Sequence, residues 1–386
     1  MKRFIFIIFL IGLTTTLSSC RKDVMIVPAQ YTDLPQAKQP NSPFRGMYLL
    51  NEGNMGSNKS SLDYLDYMSG MFIRNIYAER NPNVALELGD VGNDIKIYGS
   101  KMYIVVNSSH KLEIADAITA RKIKQIDVPN CRYIAFDKGY AYLSSYVGPV
   151  VVDPKAPKGA IFKIDTTGLN IVDNVEVGYQ PEELVIEKGY LYVANSGGYR
   201  KPNYDNTVSI VDLKNFKKVK DIPVGYNLHR LKKDQYGHLW ISSRGNYTTE
   251  KSNLYCATIN PNNPLKLDID TINVPCSNIA INNNSAYILG TDWNNIDMKN
   301  NISYAIVDIQ SKKKVSNNFI TDGTESEIVI PYGIIVNPYT EDILITDARN
   351  YVSSGRLICY SKQGKRKWVM TTGDIPNAMC FLPKKQ

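Results

Sequence analysis

The sequence has little of what most enzyme sites are built from. Of its 386 residues only three are histidine, namely His110, His229 and His238, and no metal-ligand spacing links them. It contains no GxSxG elbow, phosphate-binding loop or dinucleotide fingerprint. We therefore predict a protein that is not an enzyme and that uses neither a metal nor a cofactor.

Cysteines that could pair as a disulfide framework are also lacking. Cys20 belongs to the N-terminal segment discussed below, which leaves an odd number of cysteines and no CxxC motif. Each of these cysteines lies in or beside an apolar, strand-like run. We expect them to be small buried side chains of the core. They are Cys131, Cys256, Cys276, Cys359 and Cys380.

Long apolar runs and concentrated basic charge are absent from the rest of the chain. After residue 13 no apolar stretch is long enough to cross a membrane. The formal charge of +8 falls to +6 without Lys2 and Arg3, and the densest basic run, residues 311–314, lies in a predicted turn. Scattered lysines of this kind indicate a solvated surface, so we predict no nucleic-acid partner.

The N-terminus combines a positive start, an apolar run and a cysteine. Lys2 and Arg3 precede the run Phe4–Leu13, and Leu17-Ser-Ser leads to Cys20. This arrangement resembles a bacterial lipoprotein signal, which implies cleavage after residue 19 and a lipid on Cys20. Residues 21–23, Arg-Lys-Asp, partly resemble the export signal of Bacteroidota surface lipoproteins. We expect an outer-membrane lipoprotein exposed on the cell surface and held to the membrane by its lipid.

The chain then divides into a tether and a repeat. Residues 20–43 hold the lipidated cysteine and a proline- and glutamine-bearing segment without periodicity, which predicts a flexible tether. From Phe44 onward four short strand-like runs recur, most clearly over residues 181–225. A turn followed by an aromatic strand marks each copy, at Gly99, Gly139, Gly189 and Gly237, with divergent copies at Ser285 and Thr340.

An aspartate closes the third strand of several copies. We interpret it as a turn residue that accepts backbone N–H bonds at the hairpin corner. These residues are Asp116, Asp165, Asp212 and Asp308.

The two ends of the repeat region predict how the strands close. The first copy begins with a second-strand motif at Met47–Asn51, and a lone strand, Ala378–Leu382, follows the last copy. The lone strand supplies what the first copy lacks, which closes a ring and removes exposed sheet edges. The prediction over residues 44–386 is an all-β fold, a seven-bladed β-propeller of four-stranded blades closed by the C-terminal strand.

The repeat resembles a known family. Over residues 175–225 the runs Gly189–Asn195 and Val208–Asp212 are similar to blades of YncE-like seven-bladed propellers. Asn51–Gly56 and Ser60–Tyr64 are similar to the opening blade of that family's surface lipoproteins in gut Bacteroidota. These lipoproteins include the BtuG type, which binds cobalamin and caps its transporter. The resemblance implies a nutrient-binding role, with cobalamin or another corrinoid as one ligand and an outer-membrane transporter as partner.

The predicted loops are unequal on the two faces of such a propeller. The turns after first strands are tight, as at Asp137–Gly139 and Glu187–Gly189, whereas the loops after second strands are long. Rigid scaffolds place function on the elaborated face. The long loops are Asn51–Ser60, Ser144–Gly159, Asn195–Asn206, Ser243–Asn253, Gly290–Asn301 and Asp347–Gly355.

These loops and the blade-to-blade connections are rich in tyrosine and arginine. Aromatic side chains give a large contact area at low entropic cost, and arginine offers a fork of donors for phosphate, carboxylate or amide oxygens. Arg132, His229 and Tyr332 lie in the connections. The predicted ligand-binding residues are Tyr146, Tyr179, Gln180, Tyr199, Arg200, Tyr204, Tyr226, Arg230, Arg244, Tyr247, Trp293, Arg349 and Tyr351.

Three functions fit these features. The leading hypothesis is a surface-anchored protein that captures a small nutrient (a corrinoid, a glycan or a peptide) and passes it to an outer-membrane transporter. The second is a metal-dependent hydrolase or lyase of lactonase-like propeller type, with Asp94, Glu182 and Asn278 as candidate ligands at the channel mouth. The third is a scaffold whose protein partner covers the long-loop face.

Overall fold

The computed structural model describes residues 28–84, 88–294 and 299–384, apart from the side chains of residues 292–294 and 300. Over these residues the chain forms seven antiparallel sheets with almost no helix, which confirms the all-β, seven-bladed propeller. One short α-helix, α1 (Ile76–Arg80), follows the first sheet, and no helix in the described ranges is long and apolar enough to cross a membrane.

The strands follow one another blade by blade. Blade 1 contains β1 (Gln30–Asp33), β2 (Phe44–Asn51), β3 (Ser61–Asp66), β4 (Met71–Arg74) and the last strand, β29 (Pro376–Pro383). Blades 2 to 4 contain β5 (Gly92–Tyr98), β6 (Lys101–Val106), β7 (Lys111–Asp116), β8 (Lys122–Asp127), β9 (Cys131–Asp137), β10 (Tyr140–Ser145), β11 (Ala160–Asp165), β12 (Asn170–Glu176), β13 (Pro181–Glu187), β14 (Tyr190–Asn195), β15 (Thr207–Asp212) and β16 (Lys217–Pro223). Blades 5 to 7 contain β17 (Leu228–Lys233), β18 (His238–Ser243), β19 (Asn253–Ile259), β20 (Leu267–Thr271), β21 (Asn278–Asn282), β22 (Ser285–Asn294), β23 (Lys299–Asp308), β24 (Lys313–Ser316), β25 (Pro331–Val336), β26 (Ile343–Asp347), β27 (Ser354–Tyr360) and β28 (Arg366–Asp374).

The last strand closes the ring as the sequence predicted. Strand β29 pairs antiparallel with β2, with Met47 opposite Phe381, and it is the innermost strand of blade 1. The inner strands β29, β5, β9, β13, β17, β21 and β25 contact one another in a closed circle. These inner strands therefore surround the central channel of the propeller.

The glycines and aspartates that were predicted to form turns do so in the structure. Gly99, Gly139 and Gly189 have positive φ in the tight turns after first strands, a conformation that favours glycine. Asp116 accepts hydrogen bonds from the N–H groups of Ile118 (3.1 Å) and Thr119 (2.8 Å). Asp165, Asp212 and Asp308 accept equivalent bonds, which confirms their role as turn residues.

The hydrophobic core lies between neighbouring blades. In one cluster Tyr142 of blade 3 packs with Leu191 and Val193 of blade 4, and similar clusters join the other sheets. The predicted small core residues are found there: Cys131, Cys256, Cys276 and Cys359 are buried free thiols, and Cys380 is half-buried. No disulfide links these five cysteines, so the blades are held by packing and strand pairing.

The C-terminal part of the predicted tether, residues 28–43, belongs to the propeller. Strand β1 pairs with β4 as a fifth strand of blade 1, and a 3-10 turn, Pro35–Ala37, follows it. Leu34 and Ala37 are buried in the cluster between blades 1 and 7. The sequence suggested a tether because this segment lacks periodicity; its two apolar side chains are enough to fix it to the outer edge of blade 1.

The propeller has two unlike faces. We call the long-loop face the one that carries residues 52–60, 146–159, 196–206, 244–252 and 348–353, and the turn face the opposite one. One predicted long loop, Gly290–Asn301, is different: the ladder of β22 and β23 continues as far as the pair Asn294 and Lys299. The connection of blade 6 is therefore a long hairpin.

Candidate functional site

A cavity of about 830 Å³ opens on the long-loop face at the centre of the ring. A volume of this size is typical of small-molecule sites. Every blade contributes to its wall, so it is the mouth of the central channel. The lining of the cavity includes Glu52, Met55, Asn93, Arg132, Tyr133, Tyr199, His229, Arg230, Arg244, Tyr247, Ser277, Tyr332, Tyr351 and Asn377.

Bulges in the inner strands aim the polar side chains into this cavity. In blade 3, Cys131 pairs with Ser145 and Ile134 with Leu143, so Arg132 and Tyr133 together oppose the single residue Ser144. Such a bulge turns a side chain out of the regular alternation of a strand. The same irregularity recurs at Glu182 and Glu183, His229 and Arg230, Tyr332 and Gly333, and the single residues Asn93 and Asn377. Of these, Asn93, His229, Arg230, Tyr332 and Asn377 line the cavity.

Hydroxyl groups on the second strands stabilise the bulges. The N–H of Tyr133 donates to Oγ of Ser144 at 3.0 Å, and the N–H of Arg230 donates to Oγ of Ser242 at 2.8 Å. In blade 7 the N–H of Gly333 donates to Oγ1 of Thr346 at 2.7 Å. A Ser or Thr opposite the bulge thus satisfies an amide that the strand ladder leaves free.

Glu182 is a buried carboxylate between two arginines. Its Oε2 lies 3.0 Å from Nε and from Nη2 of Arg132, and its Oε1 lies 3.4 Å from Nη1 of Arg244. The hydroxyl of Tyr146 donates to Oε1 at 2.6 Å. Burial raises the pKa of Glu182, but the two guanidinium groups outweigh burial and hold it below its usual range. Glu182 is therefore ionised and fixes both arginines at the cavity wall.

Arg230 has no such partner. It is 8 % exposed, its Nη2 donates to Oδ1 of Asn377 at 3.2 Å, and its guanidinium lies 5.2 Å from the ring centre of Tyr133. Among the described residues its Nε has no hydrogen-bond partner and no carboxylate oxygen lies within 4.0 Å. A buried guanidinium with donors to spare is suited to binding an anion that enters the cavity.

His229 is a neutral neighbour of this arginine. Its Nε2 lies 2.9 Å from the hydroxyl of Tyr133. Burial lowers the pKa of His229 well below its ordinary value, and the charges of Arg244 and Arg230 lower it further. At neutral pH this imidazole adds hydrogen-bonding capacity to the site but no charge.

Glu52 is a carboxylate of the cavity lining. Its Oε1 accepts a bond from Nδ2 of Asn377 at 2.7 Å, and both its oxygens lie 3.1 Å from the hydroxyl of Tyr332. Burial raises the pKa of Glu52 to about 7, although the charges of Arg132 and Arg230 oppose the shift. Near neutral pH a part of the molecules therefore carries Glu52 uncharged, and the cavity has an excess of positive charge.

A different layer of charges lies further along the inner strands and is balanced. Lys96 lies 3.7 Å from Asp94, and Lys232 pairs with Glu183. These four residues form two pairs and do not line the cavity, although the charges of Glu183 and Asp94 also raise the pKa of Arg230. The positive excess is thus confined to the mouth of the channel.

Comparison with known proteins identifies the family. Residues 45–364 match the family described as a domain of unknown function, DUF5074. The chain belongs to the DUF5074 family. No curated protein sequence matches this DUF5074 protein.

Solved structures similar to this DUF5074 protein share its architecture. They include a quinonprotein alcohol dehydrogenase-like protein from Bacteroides thetaiotaomicron (15 % identity, 88 % of this chain and 78 % of that chain, TM-score 0.61). The match to a hypothetical selenium-binding protein from Sulfolobus tokodaii covers 91 % of this chain and 97 % of that chain (11 % identity, TM-score 0.61). The match to a functionally unknown protein from Desulfotomaculum acetoxidans covers 88 % of this chain and 99 % of that chain (10 % identity, TM-score 0.59). At these identities the likeness concerns the fold alone.

Five of the predicted ligand-binding residues of this DUF5074 protein line the cavity. They come from the loops of blades 4, 5 and 7 and from the inner strand of blade 5. They are Tyr199, Arg230, Arg244, Tyr247 and Tyr351.

Other predicted residues support the cavity from behind. Tyr146 is buried and holds Glu182, and Gln180 is buried with its Oε1 accepting the N–H of Tyr199 at 2.7 Å. The ring of Tyr204 lies 6.2 Å from that of Tyr247 in an edge-to-face contact. These three side chains position cavity residues and are not themselves in the lining.

The remaining predicted residues lie away from the cavity or outside the described side chains. Arg200 lies over the ring of Tyr179 at 3.5 Å and donates to the carbonyl of Pro154, so it clamps one loop to another. Tyr226 and Arg349 are exposed outside the lining. The side chain of Trp293 and all of Cys20 lie outside the described part of this DUF5074 protein.

The cavity residues that the loop-based prediction missed include Glu52, Asn93, Tyr133 and Asn377 of this DUF5074 protein. Glu52 begins a long loop, whereas Asn93, Tyr133 and Asn377 lie within inner strands. For Tyr133 the available signal was Ser144 one strand away; Ser242 and Thr346 mark the bulges of blades 5 and 7 in the same way. Arg132, His229 and Tyr332, noted in the blade connections, occupy the same bulges.

Proposed function

We propose that this protein captures a small, ring-bearing anionic ligand in the cavity of the long-loop face. One observation carries the proposal: Arg132, Arg230 and Arg244 converge on the cavity, and only two of them share a carboxylate, Glu182. Arginine forks bind carboxylate and phosphate groups, and the tyrosines around them offer ring faces and edges. The combination suits a ligand that has both an acidic group and rings.

We further propose that the protein works as a surface lipoprotein and passes its ligand to an outer-membrane transporter. The N-terminal signal with Cys20 and the resemblance to YncE-like surface lipoproteins support this placement. A corrinoid combines a flat ring system, amide groups and a phosphate. Cobalamin is therefore the first ligand to test, with acidic glycans and peptides after it.

Binding is better supported than catalysis. The three candidate metal ligands are engaged elsewhere: Glu182 by two arginines, Asp94 by the N–H groups of Ile95 and Ile134, and Asn278 as a donor to the carbonyl of Tyr332. Among the described residues no three His, Cys, Asp or Glu side chains are grouped as metal ligands. A metal-dependent hydrolase would need these contacts to be exchanged for the ion.

Calorimetric titration tests the proposal. Cyanocobalamin, flavin mononucleotide and a uronic-acid oligosaccharide should be titrated into the purified protein. We expect one-to-one binding of at least one of them, weakened by about 1–3 kcal/mol in Tyr247→Ala and in Tyr351→Ala. Tyr236→Ala, an exposed tyrosine on the turn face, is the matched control and should change nothing.

Two results would contradict the proposal. The first is binding that the cavity substitutions leave unchanged while Tyr236→Ala weakens it. The second is saturable binding of a divalent ion with a hydrolytic activity that Asp94→Asn and Glu182→Gln abolish, which would favour the metal-dependent enzyme.

A further inference from the structure

Exposed apolar side chains are concentrated on the long-loop face. They surround the mouth of the cavity and come from the loops of blades 1, 3, 5 and 7 and from two blade connections. They are Met55, Val147, Val151, Val152, Tyr226, Tyr247, Val329, Tyr351 and Val352. The turn face exposes fewer, namely Met68, Ile118, Tyr236 and Tyr339, and the other exposed ones lie on the outer strands of the blades: Tyr31, Ile123, Ile171, Val172, Val219, Val315 and Val369. An apolar rim of this kind marks a surface that contacts something other than water.

The N-terminal strand enters the propeller from this same face. Strand β4 runs from the turn face to the long-loop face, because it follows the turn after β3. Strand β1 is antiparallel to it, with Gln30 opposite Arg74 and Asp33 opposite Met71. The start of β1 therefore lies at the long-loop end of blade 1.

Side-chain contacts confirm this position. Nη1 of Arg74 lies 3.0 Å from Oε1 of Gln30, and Nη2 of Arg74 lies 3.4 Å from Oγ of Ser354. Ser354 directly follows the long loop 348–353, which carries Tyr351 and Val352. The chain upstream of Gln30 thus leaves the propeller beside the apolar rim.

The distance from this point to the lipid is short. Only residues 21–27 separate Cys20 from Pro28, and a chain of that length reaches about 28 Å when fully extended. A lipid on Cys20 therefore holds the long-loop edge of blade 1 within that distance of the membrane surface.

We propose that the long-loop face, with its apolar rim, rests on the lipid surface that holds the acylated Cys20. The inference depends on the lipidation proposed above. In this orientation the cavity mouth faces the membrane that would hold the transporter proposed above. The occupant of the rim is the bilayer itself, since the anchor brings the bilayer to this face without any other protein.

Depth-dependent quenching tests this orientation. The lipidated protein is reconstituted in vesicles of phosphatidylethanolamine and phosphatidylglycerol with a spin-labelled lipid as quencher. Variants with one added cysteine carry an environment-sensitive dye at Val152→Cys or Val352→Cys on the rim, and at Ile118→Cys on the turn face as control. Cys131, Cys256, Cys276 and Cys359 are buried, and the unsubstituted protein gives the background labelling. We expect at least a twofold loss of emission at both rim positions and no loss at position 118.

Equal quenching at all three positions, quenching at position 118 alone, or no quenching at any position would overturn the proposal. Labels at 152 and 352 that are shielded in native membranes, yet not quenched in pure lipid vesicles, would also overturn it and assign the rim to a membrane protein. Mass spectrometry of the N-terminal peptide checks the lipid separately. Ligand titration of the same variants tests the proposed binding function independently of the orientation. Binding without quenching would overturn the orientation alone.

Discussion

Nδ2 of Asn377 lies 2.7 Å from Oε1 of Glu52, while Oδ1 of the same amide accepts a bond from Arg230 at 3.2 Å. The strand that closes the ring thus connects the carboxylate of the cavity to its unpaired arginine. Because Asn377 bridges them, the charge state of Glu52 determines how much of the Arg230 charge is available to a ligand.

Anion binding should weaken as pH rises through 7. Burial raises the pKa of Glu52 to about 7, so the group is neutral below this pH and negative above it. The added negative charge should cost about 1 kcal/mol, roughly fivefold in affinity, between pH 6 and pH 8. Glu52→Gln removes the titration and should keep the low-pH affinity at both values, as measured by calorimetry. A pH step that persists in Glu52→Gln would assign it to another group.

Removing the carboxylate between Arg132 and Arg244 should destabilise the fold. Glu182→Gln leaves two half-buried guanidinium groups without their anion, a change that should cost up to about 3 kcal/mol. Urea unfolding measures this loss. Glu187→Gln is the control, because Glu187 pairs with the exposed Lys233 and such a surface pair contributes about 1 kcal/mol or less. Equal losses in the two variants would contradict the role of Glu182.

The hydroxyl opposite the blade 5 bulge should position Arg230. Ser242→Ala leaves the N–H of Arg230 without its acceptor, which should lower stability by about 1–3 kcal/mol and weaken ligand binding several-fold. Ser242→Thr should retain both the stability and the ligand affinity, because Thr346 occupies the equivalent position in blade 7. Unfolding and titration of both variants check this. The account fails if alanine binds as well as threonine.

The N-terminal segment should contribute to the stability of blade 1. Leu34 is 6 % exposed and packs between blades 1 and 7, so Leu34→Ala should cost about 2–4 kcal/mol in the free energy of unfolding. Tyr31→Ala, on the exposed side of the same segment, should cost less than about 1 kcal/mol. A Leu34→Ala variant as stable as the unsubstituted protein would show that residues 28–43 do not hold the blade.

The architecture was readable from the sequence because each blade repeats a local signal. The glycine turns at Gly139 and Gly189 and the lone last strand predicted both the blade and its closure. Residues 30–43 were not predicted, since a strand added at a sheet edge needs only a few paired residues and one or two buried side chains such as Leu34. The long hairpin of blade 6 was read as a loop because its polar composition gives no alternation.

The candidate site was predicted only in part, for a physical reason. A search of loops finds Tyr199, Tyr247 and Tyr351, whose side chains project from the surface. It does not find Tyr133 or Asn377, because a β-bulge depends on a register shift between two strands. Partners such as Arg132 and Glu182, which are 50 positions apart in the sequence, are brought together by the ring.

The most direct test of the account is the affinity of an Arg230→Gln variant for the anionic ligand found by titration. Arg349→Gln, an exposed arginine of the same face outside the cavity lining, is the matched control. Loss of a charged hydrogen-bonding group should weaken binding by about 1.5–3 kcal/mol, more than tenfold, in Arg230→Gln and leave Arg349→Gln unchanged. Unaltered affinity in a folded Arg230→Gln variant, or equal losses in both, would contradict an anion site at the centre of the propeller.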